Sequence, residues 1–504
     1  MCLKGIDGRE ISAEVYIASG LPAYSVVGLP DAAVKEAKDR VVAAVRNSGF
    51  DFPSKRITVN LAPAEIRKTG THFDLPIALG VIVASGQLGK KPPARLEDAF
   101  FIGELALDGA LRPVAGVLPM LLALKGRGKT VVVPMGNSVE AAVSGVNCLS
   151  AASLKEAAVW LSGEAELHVC SVPETAQVPA GLGNDFSEVK GQPFAKRALE
   201  IAAAGFHNAL LMGPPGSGKS MLARRFGALL PLMTFDESLE TTKLYSVSGL
   251  GAVGRLISER PFRDPHHTIS DAALIGGGSS PRPGEVSLAH NGVLFLDEFP
   301  EFSRPAIEAL REPLEVWKVT VSRIKESVTY PARFLLVAAM NPCPCGYLGH
   351  PTRECACTPL QVHKYRARIS GPILDRIDLQ VQLSAVKYAD WEGLPRGESS
   401  TVIAGRVLKA IELQRGRFNG GAKANAFMTG ADLRRHCALP EGASAVLETA
   451  MNKLGFSARS LDKILKISRT IADLEGAPGI KREHIIEAVQ YRMLDKAAAP
   501  VAGF

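Results

Sequence analysis

The chain has 504 residues, 46% hydrophobic and 22% charged, with a net charge of +7. At about 150 residues per domain this is an ordinary globular composition with room for three domains, and it excludes disordered and fibrous classes. No apolar run reaches the roughly 18 residues that would span a bilayer, and Lys4, Asp7, Arg9 and Glu10 stand where a signal-type apolar segment would be, so a cytoplasmic location with no membrane partner is expected.

In chain order, residues 1 to about 168 alternate strand-like and helix-like patterns, with Ala32 to Asn47 reading as an amphipathic helix and Arg56 to Leu61 as a strand, which predicts one α/β or α+β domain. Residues 171–184 are rich in proline, glycine and small polar residues and read as a linker. Ala209 to Met212 is then a short buried strand, followed at once by Gly213, Pro214, Pro215, Gly216, Ser217, Gly218, Lys219 and Ser220. This is a complete G-x-x-x-x-G-K-S phosphate loop, with a helix expected from Met221 to Leu230. Glycines let backbone N–H groups turn inward around a phosphate, Lys219 brings a point charge to the β/γ oxygens, and the Ser220 hydroxyl can ligate Mg²⁺, so ATP and Mg²⁺ are the expected ligands.

Val293 to Leu296 is a continuous apolar run ending in Asp297 and Glu298, the pattern of a parallel strand buried on both faces with acids at its carboxyl end. Asp297 is placed to hold Mg²⁺, and Glu298 to polarise an attacking water, which turns nucleotide binding into hydrolysis. Lys318 to Arg323 and Ser327 to Tyr330 alternate like a β-hairpin around Lys325, and a glycine-rich stretch near Asp271 to Glu285 carries Arg282. Read alone, both are solvated turns with exposed basic residues. A further strand, Phe334 to Ala339, leads to Asn341.

Directly after it, Cys343, Cys345, Cys355 and Cys357 form C-x-C-x₉-C-x-C, while Cys2, Cys148, Cys170 and Cys437 are scattered. Four thiolates satisfy tetrahedral Zn²⁺, with His350 or His363 as substitute ligands. Free thiols are the competing reading, and a disulfide comes third in a reducing compartment. Residues 396–504 are proline-poor and helical in pattern, as in Ala443 to Leu454, Ser460 to Leu474 and Arg482 to Leu494, predicting an all-α lid.

Asp185 to Gln192, the phosphate loop, Leu296-Asp297-Glu298, Ala339 to Pro342 and Leu374 to Asp378 together resemble the magnesium-chelatase-type AAA+ proteins, and within them the ComM/YifB group, over nearly the whole chain. The resemblance implies a P-loop α/β ATPase core at 185–395 with pore insertions and a helical lid at 396–504. It also makes Asn341 a first sensor orienting the lytic water, Arg376 an arginine finger acting on a neighbouring subunit, and Arg459 a second sensor. Lys318, Arg323, Lys325 and Arg282 would then be DNA-contacting tips in the pore of a homo-oligomer, a hexamer by resemblance, gripping phosphates without reading bases.

Lys68 to Asp74 and Gly103 to Leu118 resemble the proteolytic domain of Lon proteases, giving residues 1–170 a Lon-like α/β fold. The nucleophile position holds His72 and the lysine position Leu118, so no Ser-Lys dyad remains, and His72 reads as structural. The implied activity is an ATP-driven DNA motor with helicase and branch-migration action on single-stranded, forked or branched DNA, serving integration of incoming DNA in natural transformation. Two rivals are a magnesium-chelatase-type ATPase subunit that remodels a protein partner and a regulatory protein-unfolding ring.

Overall fold

The computed structural model describes residues 1–171, 185–250, 256–278, 281–323, 326–385, 396–418, 423–454 and 456–492. The chain divides into two compact units, Met1–Val178 with Phe235–Ser258, and Pro179–Thr234 with Glu259–Phe504. Most of the expected linker at 171–184 lies outside the described residues.

In the first unit, Ser12–Ala18 runs antiparallel to Arg56–Ala62, which pairs in parallel with Ala23–Val27. A second sheet has the order His168–Val169, Asn147–Ala151, Thr130–Pro134, Ala99–Phe101. The helix Ala32–Asn47 starts where Asp31 accepts from the Val34 N–H at 2.9 Å, and it buries Val34, Ala37, Val41, Ala44 and Val45. One segment departs from the expected division of the chain. The helix Phe235–Ser248, inside the stretch 185–395 assigned to the ATPase core, packs on Val117–Leu122 in the first unit. There the Gly116 N–H donates to the Ser246 carbonyl at 3.1 Å, and the Ser246 hydroxyl bonds Glu140. These pairings satisfy polar groups that a largely polar helix must place somewhere.

The second unit is built on five parallel strands: β1 (Ala209–Met212), β2 (Phe262–Arg263), β3 (Val293–Leu296), β4 (Leu335–Met340) and β5 (Leu379–Gln382), in the spatial order β2-β3-β4-β1-β5. Every residue of β1, β3 and β4 is buried, as continuous apolar runs in a parallel sheet covered on both faces should be. Helix α1 (Pro193–Gly205) precedes β1, and α2 (Lys219–Phe226) follows it. The helices α3 (Ser400–Arg417), α4 (Ala458–Leu474) and α5 (Arg482–Gln490) contribute Ile403, Ile464, Ile467, Ile471 and Ile485 to the same apolar core as Leu211, Phe295, Val337 and Val381 of the sheet. The architecture is therefore mixed α/β with a helical carboxyl-terminal region. Among the described residues no helix is long and apolar enough to cross a membrane.

Candidate active site

All five strands run the same way, so their carboxyl ends share one edge of the sheet, and the loops that leave them converge there. The phosphate loop leaves β1, near the centre of the sheet. Gly218, at φ +90, precedes the first residue of α2, and its left-handed backbone turns the chain into the helix. Helix α2 starts at Lys219, two residues before the expected start, and gives way to a tight turn at Gly227–Leu229.

Lys219 Nζ donates to the loop's own carbonyls at Gly213 (2.7 Å) and Pro214 (3.0 Å) and to Asn341 Oδ1 (3.2 Å). Burial lowers its pKa, against the pull of Asp297 and Glu298. Ser220 Oγ donates to Asp297 Oδ2 at 2.5 Å, and the Glu298 N–H donates to Asp297 Oδ1 at 2.9 Å. Five predicted residues from three strand ends thus meet: Lys219, Ser220, Asp297, Glu298 and Asn341. Ser217 Oγ is buried without a hydrogen-bond partner among the described residues, and a phosphate oxygen would satisfy it. The Ser220 hydroxyl beside a carboxylate is an all-oxygen donor pair suited to Mg²⁺.

Arg376 and Arg459 make other contacts. Arg376 donates to the Pro372 carbonyl at 2.7 Å and to Glu315 at 2.5 Å. Arg459, with a side chain 77% exposed at the start of α4, lies 3.7 Å from Asp375. Asp378, which closes the same loop, pairs with Lys463 at 2.9 Å and His207 at 3.3 Å. Burial would raise its pKa, but these two neighbours hold it well below the ordinary carboxylate range.

The four clustered cysteines meet after β4. Cys343 Sγ lies 3.4 Å from Cys345 and 3.6 Å from Cys355, Cys345 and Cys355 are 3.6 Å apart, and all four sulfurs fall within 4.8 Å of one another. A disulfide would hold two of them at about 2.05 Å, whereas a tetrahedron of sulfurs about 2.3 Å from a central ion has edges of about 3.7 Å. The cluster can therefore hold a metal. The Tyr347 N–H pulls the Cys345 thiol pKa down. His350, offered as a substitute ligand, instead accepts from the Arg353 N–H at 3.1 Å and the Thr352 N–H at 3.3 Å. The cysteine loop also lies on the phosphate loop. Gly346 has φ +84, and a Cβ there would stand 2.7 Å from Pro215 Cδ and 3.8 Å from Asn341 Cγ.

The two insertions form one body. Lys318–Arg323 pairs antiparallel with Glu326–Pro331, and buried Tyr330 donates to the Pro281 carbonyl at 2.8 Å. Gly276 pairs with Pro283 and Gly277 with Arg282, leaving Arg282 and Lys318 exposed. Lys325 and the Arg323 side chain lie outside the described residues. In the first unit His72 is buried, 3.0 Å from the Met1 carbonyl and 4.3 Å from the Phe73 ring, and burial pushes its pKa down to about 3. Leu118 is fully buried.

One neighbour escaped the sequence reading. His267 Nδ1 stands 3.1 Å from Glu298 Oε2. Its only sequence signal is its place a few residues beyond β2, on the edge where the other strand-end residues collect.

Three family models match the chain: "Magnesium chelatase, subunit ChlI" over residues 185–391, "Subunit ChlI of Mg-chelatase" over 13–137, and "Magnesium chelatase, subunit ChlI C-terminal" over 397–492. The chain is 44% identical over 497 residues to the uncharacterized protein YifB of Escherichia coli, covering 98% of this chain and 96% of that protein. It is 44% identical over 496 residues to competence protein ComM of Haemophilus influenzae, covering 97% and 96%. Identity to the magnesium-chelatase 38 kDa subunit of Acidiphilium rubrum is 28% over 180 residues, 31% of this chain and 52% of that protein.

Proposed function

The chain belongs to the magnesium chelatase subunit ChlI family, in its ComM/YifB branch, and from that premise we propose that it is an ATP-hydrolysing motor that assembles as a hexamer in the cytoplasm and whose helicase and branch-migration action promotes integration of incoming DNA in natural transformation and recombination. The observation that carries the hydrolytic part is the convergence of Lys219, Ser220, Asp297, Glu298 and Asn341 on one sheet edge. Lys219 moves from the loop carbonyls to the phosphates, and Asn341 orients the lytic water. Glu298 takes its proton. Ser220 and Asp297 would hold Mg²⁺, which would supply charge neutralisation for the phosphates. Arg376 completes the neighbouring protomer's site, stabilising charge that develops on the transferring phosphoryl group. Arg459 senses the nucleotide from the first turn of α4.

DNA is the favoured substrate because two insertions packed on each other present Lys318 and Arg282 to solvent, and because a near full-length relative carries the name competence protein. The chelatase reading is weaker, since the match to the magnesium-chelatase 38 kDa subunit of Acidiphilium rubrum covers 31% of this chain, against 97% for competence protein ComM. The amino-terminal unit serves as a Lon-like partner- or DNA-binding domain without peptidase chemistry, and the four cysteines would hold Zn²⁺, which would order the loop that follows Asn341. The deciding experiment measures ATP turnover and strand displacement with single-stranded, duplex and forked DNA. DNA should stimulate turnover, and replacing Lys318, Arg323 and Lys325 with alanine should abolish the stimulation. Turnover indifferent to every DNA would point to a protein substrate.

A further inference from the structure

Strands β2 and β3 run parallel, pairing Phe262 with Val293 and Arg263 with Leu294. Continuing both chains four residues past the last pair reaches His267 on one side and Glu298 on the other. The register thus delivers the imidazole to the carboxylate, Nδ1 to Oε2 at 3.1 Å. The ring is itself fixed: the His266 ring lies against it with centroids 4.1 Å apart, and it meets Phe302 edge-on at 6.5 Å. Glu298, by contrast, has a side chain 53% exposed on a backbone at φ +51, a left-handed conformation that a non-glycine residue holds only where its surroundings impose it. A half-exposed glutamate samples many rotamers, and a base must meet its water in one of them.

We propose that His267 is a positioning residue for Glu298, donating from Nδ1 to one carboxylate oxygen and leaving the other to accept the proton of the attacking water. The proposal rests on the hydrolytic reading of Glu298 given above. Three variants of the full chain test it: His267→Ala; His267→Asn, whose amide nitrogen stands near the place of Nδ1; and His267→Phe, which keeps a ring between His266 and Phe302 but has no donor.

The alanine and phenylalanine variants should lose about 10- to 100-fold in kcat, with KM for ATP changed less than about twofold, because positioning acts on the chemical step. Asparagine should recover part of the loss. Added to Glu298→Gln, His267→Ala should cost little more, since the two side chains act as one unit. Full kcat in the phenylalanine variant, or the same fold loss on the Glu298→Gln background as on the unaltered chain, overturns the role. A fast Glu298→Gln chain would sink the base assignment itself, whereas a slow Glu298→Gln beside a fast His267→Phe sinks only this proposal.

Discussion

Replacing Gly346 by alanine tests whether the cysteine loop bears on the phosphate loop. The added Cβ would lie 2.7 Å from Pro215 Cδ and 2.9 Å from Cγ, on a backbone at φ +84. The left-handed backbone costs a residue with a Cβ about 1–2 kcal/mol, and forcing a methyl into filled space typically adds about 1–3 kcal/mol. Gly349, in the same loop at φ +77 with no heavy atom within 4 Å of its Cβ, carries the first cost without the second. The difference between Gly346→Ala and Gly349→Ala therefore isolates the push on Pro215. Borne by the phosphate loop, about 1–3 kcal/mol becomes roughly a 5- to 150-fold weakening of nucleotide affinity. Titration with a fluorescent ATP analogue in Mg²⁺, alongside thermal melts, measures it. Equal affinities in the two variants would refute the claim that the loops are mechanically joined.

Lys219→Ala should bind ATP weakly, whereas Glu298→Gln should bind it normally and hydrolyse it about 10²- to 10⁴-fold more slowly, as loss of a general base does; equilibrium binding with single-turnover rates separates them. Arg376→Ala should lose about 10³-fold or more in turnover, and mixing it with Lys219→Ala chains should restore activity, since each supplies what the other lacks; no recovery in mixed assemblies would place the arginine outside the neighbouring site. Metal analysis should find one Zn²⁺ per chain, and its removal should expose the thiols of Cys343, Cys345, Cys355 and Cys357 to titration. The depressed Asp378 carboxyl contributes stability that is present above the unfolded value near 3.9 and is lost as pH falls toward the folded one. Urea midpoints at pH 5 and pH 3 should differ less for Asp378→Asn than for the unaltered chain.

Much of the nucleotide unit was legible in the sequence because parallel strands buried on both faces write themselves as unbroken apolar runs: Ala209–Met212 and Val293–Leu296 have the expected bounds. The helix Ala32–Asn47 was equally plain from its periodicity. What sequence could not supply depends on register and on contacts between distant loops. His267 meets Glu298 only because β2 aligns with β3, and Gly346 meets Pro215 only because two strand-end loops share an edge. Tyr330 reaching the Pro281 carbonyl, which merges two insertions read as separate, is another long-range pairing that no local pattern records. Arg376 and Arg459 were singled out by resemblance, and the single chain gives each an acidic neighbour, Glu315 and Asp375.

The assignment of Phe235–Ser258 to the first unit means that the backbone passes between the units three times, after Val178, after Thr234 and after Ser258. Cleavage between Ser171 and Asp185 would leave the amino-terminal piece bound to the carboxyl-terminal one through the packing of Phe235–Ser248 on Val117–Leu122. The nicked halves should co-purify under native conditions, and a shortened gene starting at Asp185 would encode a helix whose docking partner, Val117–Leu122, has been deleted.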